Sequence, residues 1–385
     1  MHPRLWFSLL LPPLMLGLAL LWFQMTQPLE WLGVSPPPLE ELTVERTIID
    51  DDGLALKVRA GGSEPMRIAQ VQVDGAYWRF HQEPAGELSR GQAAWLQIPY
   101  PWVEDELHEV TLVTGTGVTF GHTIEVAEPT PQPSIEQLSG YGVLGLFVGV
   151  LPVALGMCLL PALQHAGARG FQFTLALTLG LLAFLLVDTL EAGLELAAEA
   201  ASLFQGPALV WLTALVAFLA LLGVGRRHGL PPEGRILAWY IALGIGLHNL
   251  GEGLAIGGAF AAGAGALGTF LVIGFTLHNL TEGVAIAAPL TRLSIPAWMW
   301  VGLVALAGLP AVLGTWLGAY AFAPHWSALF LGLGAGAILQ VCVEVADYLR
   351  RTAVAEAMSP VSGISVLGVT AGVGIMYATA LLVQV

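Results

Sequence analysis

The chain has 385 residues, 56% of them apolar and only 11% charged, with a formal net charge of −14 at pH 7. So little charge over so much apolar length excludes an ordinary soluble fold, and the acidic balance points away from nucleic acid as a partner. Two cysteines, Cys158 and Cys342, both fall in apolar segments, which argues against a disulfide framework and against a cysteine-based zinc site.

Residues 1–27 hold an apolar run from Leu5 to Phe23, interrupted by Pro12-Pro13. It reads as a membrane anchor rather than a cleaved signal, because bulky Trp22 and Phe23 end it and no small-residue cleavage site precedes Gln24. The region after it is then exported. Residues 35–128 carry short alternating runs at Thr43–Ile49, Leu54–Val58, Ile68–Val73, Ala76–Phe80, Trp95–Ile98, His108–Val113 and Val118–Val126. Turn signals such as Asp51-Asp52-Gly53 and Asp74-Gly75 separate them, as expected of a small immunoglobulin-like β-sandwich. His81, His108 and His122 are scattered among these strands and read as ordinary surface or core histidines. Pro36-Pro37-Pro38 leads into the domain, and Pro129, Pro131 and Pro133 stiffen a linker over 129–137.

Residues 138–385 are apolar almost throughout. A span needs about 20 apolar residues to cross the hydrocarbon core. That measure gives eight helices, at 140–163, 170–194, 207–225, 236–261, 265–290, 297–322, 326–349 and 361–383. The basic residues after 135 are Arg169, Arg226, Arg227, Arg235, Arg292, Arg350 and Arg351. All fall after odd-numbered helices of the eight. The positive-inside rule then puts those loops in the cytoplasm, and the β domain and C-terminus outside it. The expected fold class is a mainly α membrane protein, an eight-helix bundle with an N-terminal membrane segment and an extracytoplasmic β-sandwich.

The chain holds only two asparagines, and each follows a histidine at the same point of a repeat. His248-Asn249-Leu250-Gly251-Glu252-Gly253 lies on the fourth helix. His278-Asn279-Leu280-Thr281-Glu282-Gly283 lies thirty residues later, on the fifth. Ionisable groups at membrane depth cost roughly 2.5–3.5 kcal/mol each on insertion scales and mark function. His and Glu four apart share a helix face. Packed side by side, the two helices would bring His248, Glu252, His278 and Glu282 into one pocket. Asn249 and Asn279 with the same carboxylates would form an oxygen-rich neighbour. Imidazole plus carboxylate suits zinc, iron(II), manganese or cobalt. The plainer reading is a buried hydrogen-bonded network joining two helices; two adjacent carboxylates with no Arg or Lys in these spans weigh against it.

Glycines around the motifs read mainly as close packing, with Gly251 and Gly253 also placed to loosen the helix beside the ligands. Glu191, Glu195 and Glu199 form an acidic stripe on the second helix, below Asp188. They read either as a solvated face or as a cation entrance. Gln340, Glu344 and Asp347 near the inner end of the seventh helix read as an exit route, or as partners of Arg350-Arg351. His165 reads as interfacial.

Tandem HNxxEG motifs on the fourth and fifth of eight helices, both ends outside, resemble the ZIP family of divalent-metal transporters, over about residues 136–385. The resemblance implies a binuclear site midway across the membrane. His248, Glu252, His278 and Glu282 would hold one metal, and Asn249, Glu252, Asn279 and Glu282 the second. It also implies inward movement of metal without ATP, by an elevator-like motion. Three departures stand out. Gly251 and Thr281 occupy places where many relatives have proline, which implies a different kink. Leu309, not glutamate, precedes Pro310 in helix six, which leaves the second site one ligand short. The long histidine-rich cytoplasmic loop is absent, with only His228 between Arg226 and Arg235.

These features lead to a multi-pass transporter of the plasma (inner) membrane, carrying zinc first among divalent metals, without catalytic residues of its own. Its partners are the metal ion, the bilayer and, as the oligomer to test, a second copy in a homodimer. The alternatives are an intramembrane metalloenzyme and a metal-sensing receptor. The enzyme reading lacks any HExxH, serine–lysine or paired-aspartate arrangement, and eight spans exceed what a receptor anchor needs.

Overall fold

A computed structural model describes residues 3–26, 39–130, 132, 134–227, 229–261, 265–321 and 323–381. Pro36-Pro37-Pro38, Pro131, Pro133 and His228 lie outside these residues. The first helix, α1 (Pro3–Thr26), runs through Pro12 and Pro13 without a break, contrary to the interruption the sequence suggested. Two missing N–H groups thus did not end this helix, and its apolar neighbours offer the backbone no alternative partners.

Next come eight antiparallel strands in two four-stranded sheets. One sheet has the order β1 (Leu42–Asp50), β2 (Gly53–Ala60), β6 (Ala93–Ile98), β5 (His81–Glu83). The other has β4 (Ala76–Trp78), β3 (Ile68–Val73), β7 (His108–Thr114), β8 (Thr119–Ile124). This corresponds to the A-B-E-D and C′-C-F-G faces of an immunoglobulin-like sandwich. Alternating residues such as Leu56, Val58 and Leu96 face Val71, Val110 and Leu112 in a closed core. The sequence pattern accounts for seven of these strands; β5 is the eighth. Three residues alone pair it, to Trp95–Gln97, too few to show an alternating pattern.

Eight helical segments follow. They are α2 (Ile135–Gln164), α3 (Gly167–Glu199), α4 (Gly206–Gly225), α5 (Gly234–Ala261), α6 (Gly265–Ala287), α7 (Ala297–Ala321), α8 (Pro324–Ala355) and α9 (Gly363–Leu381). Among the described residues, seven segments are long and apolar enough to cross a membrane. The remaining one, α5, has the length at 28 residues, but His248, Asn249 and Glu252 dilute its hydropathy. Segment α2 is not one regular helix: a π turn occupies Leu146–Val150, and the α-helical pattern lapses near Cys158.

The helices pack as two groups, α2 with α5, α6 and α7, and α3 with α4, α8 and α9. Within each group glycines bring backbones together. A Cβ on Gly253 would lie 2.3 Å from the Ala311 carbonyl of α7, and one on Gly372 of α9 would lie 2.3 Å from the Leu177 carbonyl of α3. Between the groups, α5 meets α8, where Gly251 faces the Leu331 side chain and a Cβ on Gly334 would lie 3.2 Å from the His248 backbone nitrogen. Helix α5 continues unbroken through Gly251 and Gly253, so these glycines serve packing and the expected loosening is not found. Helix α6 is equally continuous through Thr281.

The β domain sits against one end of the helices. Glu45 is an extra residue in β1, where pairing jumps from Val44↔Val58 to Arg46↔Lys57. Such a bulge re-aims neighbouring side chains. Arg46 donates to the carbonyls of Tyr320 (2.6 Å) and Ala319 (3.4 Å) at the end of α7. Buried Glu45 accepts two bonds from Arg59 (2.5 and 3.1 Å), and Arg59 lies over the Phe204 ring, which stacks on His325 of α8. Ser202 Oγ donates to Glu41 at 2.5 Å. The domain therefore touches both helix groups.

At the opposite end the arginines are tied down. Arg226 pairs with Glu344, Arg351 with Glu233 and Asp347, and Arg292 with Glu356. Both cysteines are free.

Candidate metal centre

Helices α5 and α6 pack against each other and bury all six motif side chains. Spacing of four residues stacks His248 over Glu252 on one face, with Nε2 2.9 Å from Glu252 Oε1. Across the helix pair, His278 Nε2 bonds the same Glu252 oxygen. Glu282 Oε1 stands 4.0 Å from His248 Nε2. The His248, Glu252 and His278 ligand atoms all lie within 4.8 Å of one another. Ligands on a tetrahedral ion with bonds of about 2.1 Å sit about 3.4 Å apart, so small side-chain shifts would turn this cluster into a coordination shell.

The two asparagines are held by their amide nitrogens. Asn249 Nδ2 donates to Glu282 Oε2 (3.2 Å) and to the Ala307 carbonyl of α7 (3.0 Å). Asn279 Nδ2 donates to Glu252 Oε2 (3.1 Å) and to the Val148 carbonyl of α2 (3.0 Å). Each repeat thus leans on its own partner helix. The following glycines continue the pattern, Gly253 against Ala311 O and Gly283 against Val153 O. From Asn to Gly each motif advances four residues. The α7 partner also advances four, whereas the α2 partner advances five. The π turn supplies that extra residue, as such turns often do at functional sites. Pro152 explains why Val148 is available: four residues on, it has no N–H to give that carbonyl.

Among the described residues, three buried oxygens in this cluster have no hydrogen-bond partner: Asn249 Oδ1, Asn279 Oδ1 and Glu282 Oε1. An unpaired buried acceptor costs about 1–3 kcal/mol. Three such groups, on Glu282 and on the two asparagines that donate to Glu282 and Glu252, form a donor set suited to a cation rather than a closed network.

The remaining expected positions separate into near and far. Asp188 on α3 is half-buried and precedes Thr189, whose hydroxyl reaches His248. Glu191, Glu195 and Glu199 are exposed, which fits a solvated face and a cation entrance equally. Glu199 also borders a cavity of about 540 Å³ shared with Glu45, Arg46 and His122 of the β domain. Glu344, fully buried, does not pair with Arg350-Arg351: Arg226 from the end of α4 reaches it first, at 2.9 and 3.2 Å. Asp347 takes both Arg350 and Arg351. Gln340, one turn deeper than Glu344, is buried, and among the described residues neither of its amide atoms is bonded. His165 Nδ1 donates to the Pro161 carbonyl at 2.7 Å. Leu309 is largely exposed on α7, so that helix supplies the Ala307 carbonyl to Asn249 and no acidic side chain to the centre.

Sequence reasoning missed Thr189 on α3, whose Oγ1 lies 2.8 Å from His248 Nδ1. Its neighbour Asp188 drew attention by charge; a lone threonine in an apolar helix gives no such signal. Neither a family model nor a curated protein matches this chain.

Proposed function

We propose that this protein is a ZIP-like carrier that moves a divalent transition metal, zinc first, across the membrane through the α5–α6 centre. The observation that carries the reading is the buried set of His248, Glu252, His278 and Glu282 beside the unpartnered oxygens of Asn249 and Asn279. In this reading one ion is held by the two Nε2 atoms and both glutamates. A second is held by the two Oδ1 atoms and the same glutamates. Glu252 Oε1 already faces both imidazoles. An ion entering there displaces the hydrogen shared between them, so loading releases a proton and acid opposes it. Iron(II), manganese and cobalt suit the same ligands, and selectivity follows geometry and supply.

The eight segments span the plasma (inner) membrane, with the arginine-rich end in the cytoplasm, as the positive-inside rule requires. The β domain and C-terminus then lie outside, and metal travels inward. The division into two helix groups, joined chiefly where α5 meets α8, supports a motion of one group against the other. Zinc uptake into liposomes holding the purified protein tests the proposal. Wild type should accumulate zinc and Glu252→Ala/Glu282→Ala should not. Tight binding lost in the double variant, without wild-type flux, would remove transport and leave a sensor or an enzyme.

A further inference from the structure

Thr189 is 1% exposed and belongs to α3, in the helix group that carries neither motif. Its hydroxyl has a single hydrogen, and the 2.6 Å contact with the Leu185 carbonyl uses it, because a carbonyl only accepts. This back-bond to the preceding turn is a preferred threonine geometry in helices and fixes the hydroxyl orientation. Thr189 Oγ1 therefore meets His248 Nδ1 with a lone pair, so that Nδ1 carries a hydrogen. In a neutral imidazole the lone pair is then on Nε2, and the hydrogen of its contact with Glu252 Oε1 is supplied by the carboxyl. Nε2 is the atom 2.9 Å from Glu252 and 4.0 Å from Glu282, facing the centre.

We infer that Thr189 is a positioning residue that holds His248 in its Nδ1–H tautomer, with Nε2 presented as the ligand atom. The role rests on the metal-centre reading; the tautomer does not. Among the described residues no other side-chain bond ties a motif histidine, asparagine or glutamate to the second helix group. His278 has no counterpart: its ring lies beside Phe275 at 5.3 Å, and only Nε2 is hydrogen-bonded. The two histidines are thus unequal. One is oriented from outside the motif helices, the other by Glu252 alone.

The test uses the full chain in nanodiscs with nitrogen-15-labelled histidine. His248→Gln assigns the His248 signals, and pH is raised until the imidazole is neutral. Wild type and Thr189→Ser should show the Nδ1–H form. Thr189→Val, which keeps the shape but not the acceptor, should show a mixture or the opposite tautomer. Zinc affinity by calorimetry should fall about 10–100-fold in Thr189→Val, the usual loss for an outer-shell partner, and stay within a few-fold in Thr189→Ser. An Nε2–H tautomer in wild type overturns the inference, as does a Thr189→Val protein with unchanged tautomer and affinity. If Thr189→Val does not fold, the wild-type spectrum and Thr189→Ala decide. Should wild type bind no zinc, the metal reading fails while the tautomer is still read.

Discussion

Two clusters that set histidine beside carboxylate occupy the two halves of this molecule, and they are built on opposite rules. In the β domain, Asp74 Oδ1 accepts from Glu109 N–H (2.8 Å), and Oδ2 accepts from Tyr100 (2.6 Å) and His108 Nδ1 (2.8 Å). His108 Nε2 in turn accepts from Val103 N–H. Both carboxylate oxygens and both imidazole nitrogens are engaged. In the helices, three oxygens of an equally compact cluster have no partner among the described residues. Histidine beside carboxylate is therefore uninformative alone; whether the lone pairs are spent separates a structural cluster from a binding one.

Breaking one member of each cluster should separate them most sharply. Glu252→Ala removes the oxygen shared by both imidazoles, and zinc affinity should fall at least about 100-fold, read by calorimetry. Asp74→Ala should leave zinc affinity unchanged while destabilising the β domain by about 1.5–3 kcal/mol, the worth of hydrogen bonds to a charged group. Hydrogen exchange confined to residues 42–124 would show it. A fall in zinc affinity on Asp74→Ala would erase the distinction.

Proton dependence sharpens the same contrast. Burial pushes the Asp74 carboxyl up, but hydrogen bonds from Tyr100, Glu109 and His108 outweigh it and hold the group below its ordinary value. A depressed carboxylate stabilises the fold above its unfolded value near 3.8. That contribution is lost as pH falls below it. The bond to Asp74 and burial push Tyr100 up to about 12. Its neutral form is favoured by folding, so its contribution persists to about pH 10 and is lost between there and 12. The β domain should thus be indifferent to pH from 7 to 9 by hydrogen exchange, with half-buried His122, held below its ordinary 6.5, adding a loss only at lower pH. Zinc binding at the helical centre should instead weaken steadily on acidification through proton competition. Parallel loss of both would contradict the separation.

The helical positions, the motif cluster and most of the sandwich could be read from the chain because they rest on local regularities. Apolar length, period-two alternation and a repeated six-residue pattern are visible in one dimension. What escaped depends on three-dimensional partners. The β5 strand is defined by β6, the Glu344 partner by the end of α4, and the Thr189 role by where α3 meets His248. The π turn in α2 is the most instructive miss: Pro152 was in plain sight, but only the Val148–Asn279 bond shows why it matters.

The smallest effect expected lies where the two halves touch. Arg46 places its guanidinium on the last carbonyls of α7, where the helix dipole and free acceptors favour a cation. A contact of this kind is worth about 0.3–1 kcal/mol when exposed and up to about 2 when partly buried. Arg46→Gln shortens the reach and removes the charge while leaving Glu45 its bonds from Arg59. Exchange should rise at the end of α7 near Ala319 and Tyr320, with the β core and the zinc affinity unchanged. The remaining contacts from Glu41 to Ser202 and from Arg59 to Phe204 fall on the other helix group. A variant released at α7 alone would therefore show the β domain riding on α4 and α8, and unchanged exchange there would show that Arg46 does not hold the two halves together.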